Sequence, residues 1–494
     1  MQVDGIVGVY GLNDKELVNK TFLATGACQH RGKASTGFAI GNGKGIYVYK
    51  GLGRIAEVID YNIIRIFQDL EPVAAIGNIG YTKRKVAEKI NAEPIEIHPK
   101  KDSKFKLALT MDGYLIKADD LIAELDPDYD LQTDNKTEVI GALLHRYIAQ
   151  EGIEFEAGER LVKKLQGRAT FAIAALVYDG KETCLIVLSD EKAFEPLCYA
   201  TIDGAFVASS ESCSHRRLDG ITEKEYDGAE MTICSSGGCE TRRLRETPMM
   251  PDIFQGVYYG NVASLFRGKE IFQLRKELGL ELVDHYKTSR ADIVIPNPES
   301  GWGVTVGLAE GLGKNLFPAL IKLPQAVRTF QEGERQTRSK EVGLKFGGVD
   351  SLLSGKNVAM GDDSVVRGSV SQGGSVWVTY NAGARYIEFW ISYGPMFFPS
   401  FKEWYRGREC LEELAVQRAF RGANPYDKTL DEINAAVAKL IGVDAVKYNL
   451  KERIEKVAGK GSFQALDGSY PIDLRFWPDW LKKEYDEFNR YRDF

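Results

Sequence analysis

The densest chemistry in the sequence lies between Asn357 and Ser369, which reads NVAMGDDSVVRGS. Val358, Ala359 and Met360 form an apolar run. Such a run suits a parallel strand, which loses the in–out alternation when both faces are covered. The adjacent acids Asp362 and Asp363 follow at once, and Ser364, Val365, Val366, Arg367, Gly368 and Ser369 lead to where a helix can begin. Small residues and a glycine at a strand-to-helix turn let backbone N–H groups converge on a phosphate, helped by the positive end of the helix dipole. Two acids just upstream can face ribose hydroxyls or a Mg²⁺ carried by a diphosphate. A lone acidic pair in a loop is usually a solvated turn. The whole string in this order is far more specific.

Three further stretches join it. Val294 to Gly301 reads VIPNPESG, a strand ending in a proline-bounded turn whose Glu299, Ser300 and Gly301 can present backbone N–H groups to a diphosphate. Arg328 to Arg338 reads RTFQEGERQTR, basic and poorly periodic, with the composition of a flap that closes over an anionic substrate. Phe254 to Ser264 (FQGVYYGNVAS) is another strand-and-turn piece.

The elements that must position these residues fall into two rhythms. From 1 to about 245, short β runs bounded by glycines (GIVGVYG, GFAIG, GIYVYKG, AAIGNIGY, KLALTMDGYLI) predict a mostly antiparallel α+β half. Helices are expected over Thr137–Gln150 and near Ala157–Lys164, and FAIAALVYD with TCLIVLSD predicts a hairpin. Prolines in TPMMPD, Thr247 to Asp252, mark a linker. Beyond it ADIVIPNPESG, GVTVGLAEGLG, FPALIK, NVAMGDDSVVRG and ARYIEFWISY alternate strand and helix, which predicts a parallel sheet. Phe401 to Val457 reads as helical and amphipathic, and the aromatic, charged tail from 457 to 494 as a helix lying over its own core.

At 494 residues, 44% hydrophobic and 27% charged, the chain has room for two or three well-filled domains. A net charge of −6 without a long basic run argues against nucleic acid as a partner. No apolar stretch reaches the roughly 20 residues of a membrane span, and MQVDGIVGVYG lacks the form of a signal peptide. Seven scattered cysteines predict reduced thiols and a cytoplasmic protein. Cys234 and Cys239 have the wrong spacing for a common zinc knuckle.

The acidic string, VIPNPESG and the flap, together with DGIVGVYG (4–11), QHRGKAST (29–36), IGNIGYT (76–82) and MDGYL (111–115), resemble the glutamine phosphoribosyl-diphosphate (PRPP) amidotransferase family over nearly the full length. The resemblance implies an Ntn-hydrolase-like αββα domain over 1–245, a type I phosphoribosyltransferase α/β domain over 246–456 and a tail over 457–494 packing on the core. In that family the first domain releases ammonia from glutamine, and the second joins it to PRPP with loss of diphosphate. By the resemblance Ser300, Asp362 and Asp363 lie in the metal and ribose shell, with Mg²⁺ as the expected cofactor. Glu299, Ser300 and Gly301 face the diphosphate. Residues Ser364 to Ser369 cradle the 5′-phosphate, and Arg328 with Lys345 approaches the diphosphate from the flap. A homo-oligomer is expected on the same analogy.

The departures from the family are as informative. Its cysteine nucleophile, whose own α-amine is the base, falls at Asp4, a carboxylate with residues ahead of it. The arginine that grips the glutamine carboxylate falls at Gly80, and the oxyanion asparagine at Asp112. The aspartate holding the substrate ammonium falls at Lys136, with Asp134 close by. The four cluster-binding cysteines of many members fall at Asp252, Ser400, Ser462 and Ala465, so no iron–sulfur cluster is expected. The expectation is a PRPP-dependent phosphoribosyltransferase of purine or nucleoside synthesis that does not hydrolyse glutamine. Its nucleophile is ammonia, free or from a separate donor, or another small amine. The alternative is a catalytically silent regulator that binds PRPP or nucleotide.

Overall fold

The computed structural model describes residues 3–12, 14–81, 88–322, 346–368 and 374–491. The chain divides into two units. The first holds Met1–Asp252, Tyr259–Gly268 and Pro471–Phe476; the second holds Ile253–Tyr258, Lys269–Tyr470 and Trp477–Phe494.

The first unit is built on β1 (Gly5–Tyr10), β2 (Ser35–Asn42), β3 (Gly45–Leu52), β4 (Ala74–Gly80), β5 (Lys106–Leu115), β6 (Ala169–Tyr178), β7 (Thr183–Ser189), β8 (Cys198–Ile202), β9 (Ala205–Ser209), β10 (Glu230–Ser235) and β11 (Gly238–Arg243). Inward from the short edge strand Lys224–Glu225, a seven-stranded sheet runs β8-β9-β1-β4-β2-β3. A six-stranded sheet runs β11-β10-β7-β6-β5 and ends on Ile95–Glu96. Period-two alternation assigns each strand's side chains to two layers. Val7 and Val9 of β1 pack with Leu17, Val18 and Ala24 of α1 (Leu17–Ala27). Ile6 and Tyr10 turn the other way, into a layer shared with Ala172, Ala174 and Leu176 of β6 and Leu185 and Val187 of β7. On its opposite face β6 offers Phe171, Ile173, Ala175 and Val177 to Ile140 and Leu144 of α2 (Lys136–Glu151) and to Leu161 and Leu165 of α3 (Phe155–Leu165). The result is the helix–sheet–sheet–helix arrangement expected from the sequence.

Both expected helices of this unit form, each extended by one or two residues at either end, and β6 pairs with β7 as a hairpin. The cysteines need a correction. Cys28, Cys184, Cys198, Cys213 and Cys410 are unbridged and buried, but Cys234 and Cys239 form a disulfide. The register of the β10–β11 hairpin sets these two directly opposite each other with Cα atoms 4.0 Å apart.

The second unit carries α4 (Ile271–Tyr286), β12 (Ile293–Pro296), α5 (Trp302–Leu312), β13 (Asn315–Leu316), β14 (Asn357–Asp362), α6 (Val376–Asn381), β15 (Tyr386–Ile391), α7 (Ala415–Ala419), α8 (Leu430–Ile441), β16 (Ala445–Tyr448) and α9 (Asp479–Tyr491). Five of its strands form a parallel sheet in the order β13-β12-β14-β15-β16. The expected helical run from 401 to 457 is therefore interrupted by β16. Gly442, left-handed at φ 78°, ends α8, and the four residues of β16 are too few to show a strand period in the sequence. In α9, Phe488 is fully buried against the rings of Phe397, Phe398 and Tyr426.

From β12 the chain crosses through α5 to β13 on one side; from β14 it crosses through α6 to β15 on the other. Right-handed crossovers place such helices on opposite faces, so the winding reverses between β12 and β14. Open α/β sheets bind ligands in the crevice at the carboxyl ends of the two strands flanking that reversal. Among the described residues no helix is long and apolar enough to cross a membrane.

Candidate functional site

At the end of β12 the chain turns through Asn297–Gly301 before α5 begins. The turn lies directly on β14: Asn297 N donates to Gly361 O at 2.9 Å, and Gly301 N to Asn297 O at 3.0 Å. A Cβ at Gly301 would stand 2.2 Å from Gly361 O, so the close approach excludes any side chain there. Across this seam sits Asp362. Its Oδ2 accepts from Asn297 Nδ2 at 2.5 Å, and its Oδ1 from Ser300 Oγ at 3.3 Å and Asp363 N at 2.9 Å. Asp363 Oδ1 accepts from Ser364 Oγ at 2.5 Å. Asp362 is 7% exposed and Asp363 4%. Burial and the neighbouring Asp363 push the Asp362 carboxyl well above its ordinary range, against the pull of the Asn297 amide.

The turn after β14 is anchored from several sides. Tyr393 N donates to Asp363 O at 2.9 Å and Ala415 N, at the start of α7, to Val366 O at 2.8 Å. Val365 is buried, while Ser364, Val366 and Arg367 are half-buried. Arg367 pairs with Glu413 at 2.8 Å and Glu403 at 3.4 Å, so its guanidinium is already matched by two carboxylates. Glu299 pairs with Lys322 at 3.1 Å. Gly368 has φ 70°, and a Cβ on it would meet Ile441 Cγ2 at 2.9 Å. Replacing Gly368 with alanine is thus expected to cost about 1–2 kcal/mol of stability. It should also weaken binding of a 5-phosphorylated sugar at least fivefold, by thermal melting and calorimetry.

The structure brings Ser300, Gly301, Asp362 and Asp363 together and keeps Glu299 on an exposed ion pair. Arg328, Lys345 and Ser369, with the rest of the flap, lie outside the described residues. Asn297, the link between Asp362 and the turn after β12, was not singled out by the sequence analysis. Its only sequence signal was a polar residue between the two prolines of VIPNPES.

In the first unit, Asp4 immediately precedes the central strand β1. Its backbone N–H donates to Asp112 Oδ1 at 3.0 Å, and its Oδ1 accepts from Tyr81 N at 2.6 Å. Arg31, with no exposed side-chain surface, reaches three groups: Asp4 O at 2.6 Å through Nε, Asp112 Oδ2 at 2.6 Å and Glu211 Oε1 at 2.7 Å. Glu211 also accepts from His30 Nε2 at 2.8 Å, Asn261 N at 2.7 Å and Ser264 Oγ at 2.8 Å. Burial alone would raise the Glu211 carboxyl, but His30 and Arg31 hold it well below the ordinary carboxylate range. The Arg31 guanidinium is likewise held charged against burial by Asp112 and Glu211. Asp112 stands as an acceptor, bonded by Arg31 and by the Asp4 peptide N–H. Lys136 is the half-buried first residue of α2, whose N-cap Asn135 accepts from Thr137 N.

At Gly80 a Cβ would lie 2.3 Å from Ser35 Oγ, its direct cross-strand partner on β2. Gly80→Arg is therefore expected to destabilise the chain by about 1–3 kcal/mol by overpacking. It should yield no glutamate from glutamine, checked by melting and by a coupled glutamate assay.

Comparison with known proteins bears on both sites. Residues 89–214 match the model of the glutamine amidotransferase domain family. The chain is 28% identical to an amidophosphoribosyltransferase of Methanocaldococcus jannaschii, covering 96% of this chain and 98% of that protein. It is 27% identical to one of Archaeoglobus fulgidus, with 95% and 98% covered. A glutamine PRPP amidotransferase from B. subtilis, solved with ADP and GMP, superimposes with a TM-score of 0.80 at 25% identity, covering 96% of this chain and 98% of that one. The chain is similar to amidophosphoribosyltransferases over nearly its full length. The likeness runs through both units.

Among the positions matched to the amidophosphoribosyltransferase cluster cysteines, Ser462 Oγ donates to Ser469 O at 2.6 Å and Ser400 Oγ accepts from Lys402 N at 3.4 Å. The Ala465 carbonyl accepts from Phe397 N and Phe398 N. For Mg²⁺ the crevice offers the oxygen donors such an ion prefers. Among the described residues no group of three or more ligating side chains forms a cage.

Proposed function

We propose that this chain transfers the 5-phosphoribosyl group of PRPP to ammonia or another small amine, releasing diphosphate, and does not hydrolyse glutamine. The observation that carries the reading is the acidic pair Asp362–Asp363 at the winding reversal, bonded through Asn297 and Ser300 to the turn after β12. In this reading the C1–oxygen bond to diphosphate breaks as positive charge develops on the sugar, and the amine lone pair closes on C1 and then loses a proton to water. Ser300, Asp362 and Asp363 hold the sugar diphosphate with Mg²⁺, which supplies charge neutralisation of the leaving group. The Ser364–Gly368 turn receives the 5′-phosphate, and the buried seam keeps water from competing for C1. Family likeness alone carries the expectation of a homo-oligomer and of purine or nucleoside synthesis as the setting.

For the glutaminase half, the reading is supported by Asp4 in place of a thiol and by an Arg31 whose charge is taken up by Asp112 and Glu211. The test is diphosphate release from PRPP and Mg²⁺, measured with ammonium chloride, with a panel of small amines and with glutamine. Release with ammonium or an amine but not with glutamine is the expected result. The burial of both acids favours a second reading, a silent regulator that binds PRPP or nucleotide. Saturable PRPP binding without release for any acceptor would establish it instead.

A further inference from the structure

We propose that Asn297 reads a ring hydroxyl of the sugar phosphate bound at this seam, an inference that rests on the crevice being a ribosyl-phosphate pocket. Asn297 is 5% exposed. It is also fixed to the sheet: its N–H bonds Gly361 O, and its carbonyl receives Gly301 N, so the residue cannot swing out without breaking the seam.

Asn297 Nδ2 donates to Asp362 Oδ2, while Asp362 Oδ1 is already taken by Ser300 Oγ and Asp363 N. The other end is then Oδ1, a buried acceptor with no partner among the described residues. Buried acceptors in folded proteins are almost always paired, which makes an unpaired one beside a substrate crevice a place for a ligand atom. That atom must be a donor. Phosphate and diphosphate oxygens at neutral pH only accept, so neither end of the sugar diphosphate can satisfy Oδ1. A ring hydroxyl can, and one that also reached the neighbouring Asp362 would be read by both residues. Asp362 would thus act twice, once on the ligand and once by aiming the Asn297 amide.

The test titrates the full chain calorimetrically, in Mg²⁺, with PRPP, with ribose 5-phosphate and with its 2-deoxy and 3-deoxy counterparts. Wild type is expected to bind one of the deoxy sugars at least tenfold more weakly than ribose 5-phosphate. In Asn297→Ala and Asn297→Ser that gap should shrink at least fivefold, because one of the two groups that read the hydroxyl is gone. PRPP binding with equal affinity for all three sugars in the wild type would overturn the assignment, even if neither variant folds. So would a gap that persists in a folded variant. Absence of PRPP binding by the wild type would instead overturn the pocket reading itself, and this inference with it.

Discussion

Replacing Arg31 with methionine is expected to lower the unfolding free energy by about 3–5 kcal/mol, the cost of leaving buried carboxylates without their cation. Among the described residues Arg31 is the one cation bonded to Asp112, and it shares Glu211 with His30, which carries a full charge only when protonated. Methionine keeps much of the volume and removes the charge, so the loss would report electrostatics rather than a cavity. Urea unfolding at pH 7 gives the number, and adding Asp112→Asn and Glu211→Gln should recover part of it.

The pH dependence has a definite sign. Glu211 titrates lower in the folded chain than in the unfolded one. Its contribution is therefore fully present above the unfolded value of about 4.3 and is lost as pH falls through and below it. Wild type should lose stability progressively as pH falls below about 5, and the loss should continue below pH 3 because the folded carboxyl titrates far under the unfolded one. Arg31→Met should show a flatter curve there. An unchanged midpoint at pH 7 and an unchanged acid limb would show that the Arg31 network contributes nothing.

The second large effect concerns Asp363. Under the proposed transfer reaction, Asp363→Asn should lower kcat/KM for diphosphate release by about 10²–10³-fold, the cost of losing one preorganised electrostatic contact. The amide can still accept from Ser364, so the melting temperature should move little. Asp362→Asn should behave differently, because that side chain is bonded to Asn297, Ser300 and the Asp363 backbone. It should lose stability as well as activity. Steady-state kinetics and melting on both variants separate the two acids, and equal behaviour would contradict the division.

The sequence conveyed the elements better than their partnerships. NVAMGD announced a buried parallel strand because both its faces are covered, and TEVIGALLHRYIAQ announced a helix because its apolar positions recur at helical spacing. The Arg31 network was not readable in this way. Glu211 stands 180 positions from Arg31, and the Asn261 and Ser264 groups that complete it lie further still, so no local period ties them. The disulfide depended on a hairpin register that spacing alone does not fix. At the crevice, the residue types around Asp362 were visible, but Asn297 gained meaning only when β12 and β14 were found side by side.

The way the chain threads between its units limits how it can be divided. Tyr259–Gly268 and Pro471–Phe476 belong with the amino-terminal unit, although each is followed in sequence by residues of the other. A gene fragment stopped at Asp252 would lack Asn261 and Ser264, stripping two donors from a carboxylate that is buried in the full chain. Neither half is a cassette that one cut releases whole, and recombining either with a foreign partner would require carrying both returning segments along.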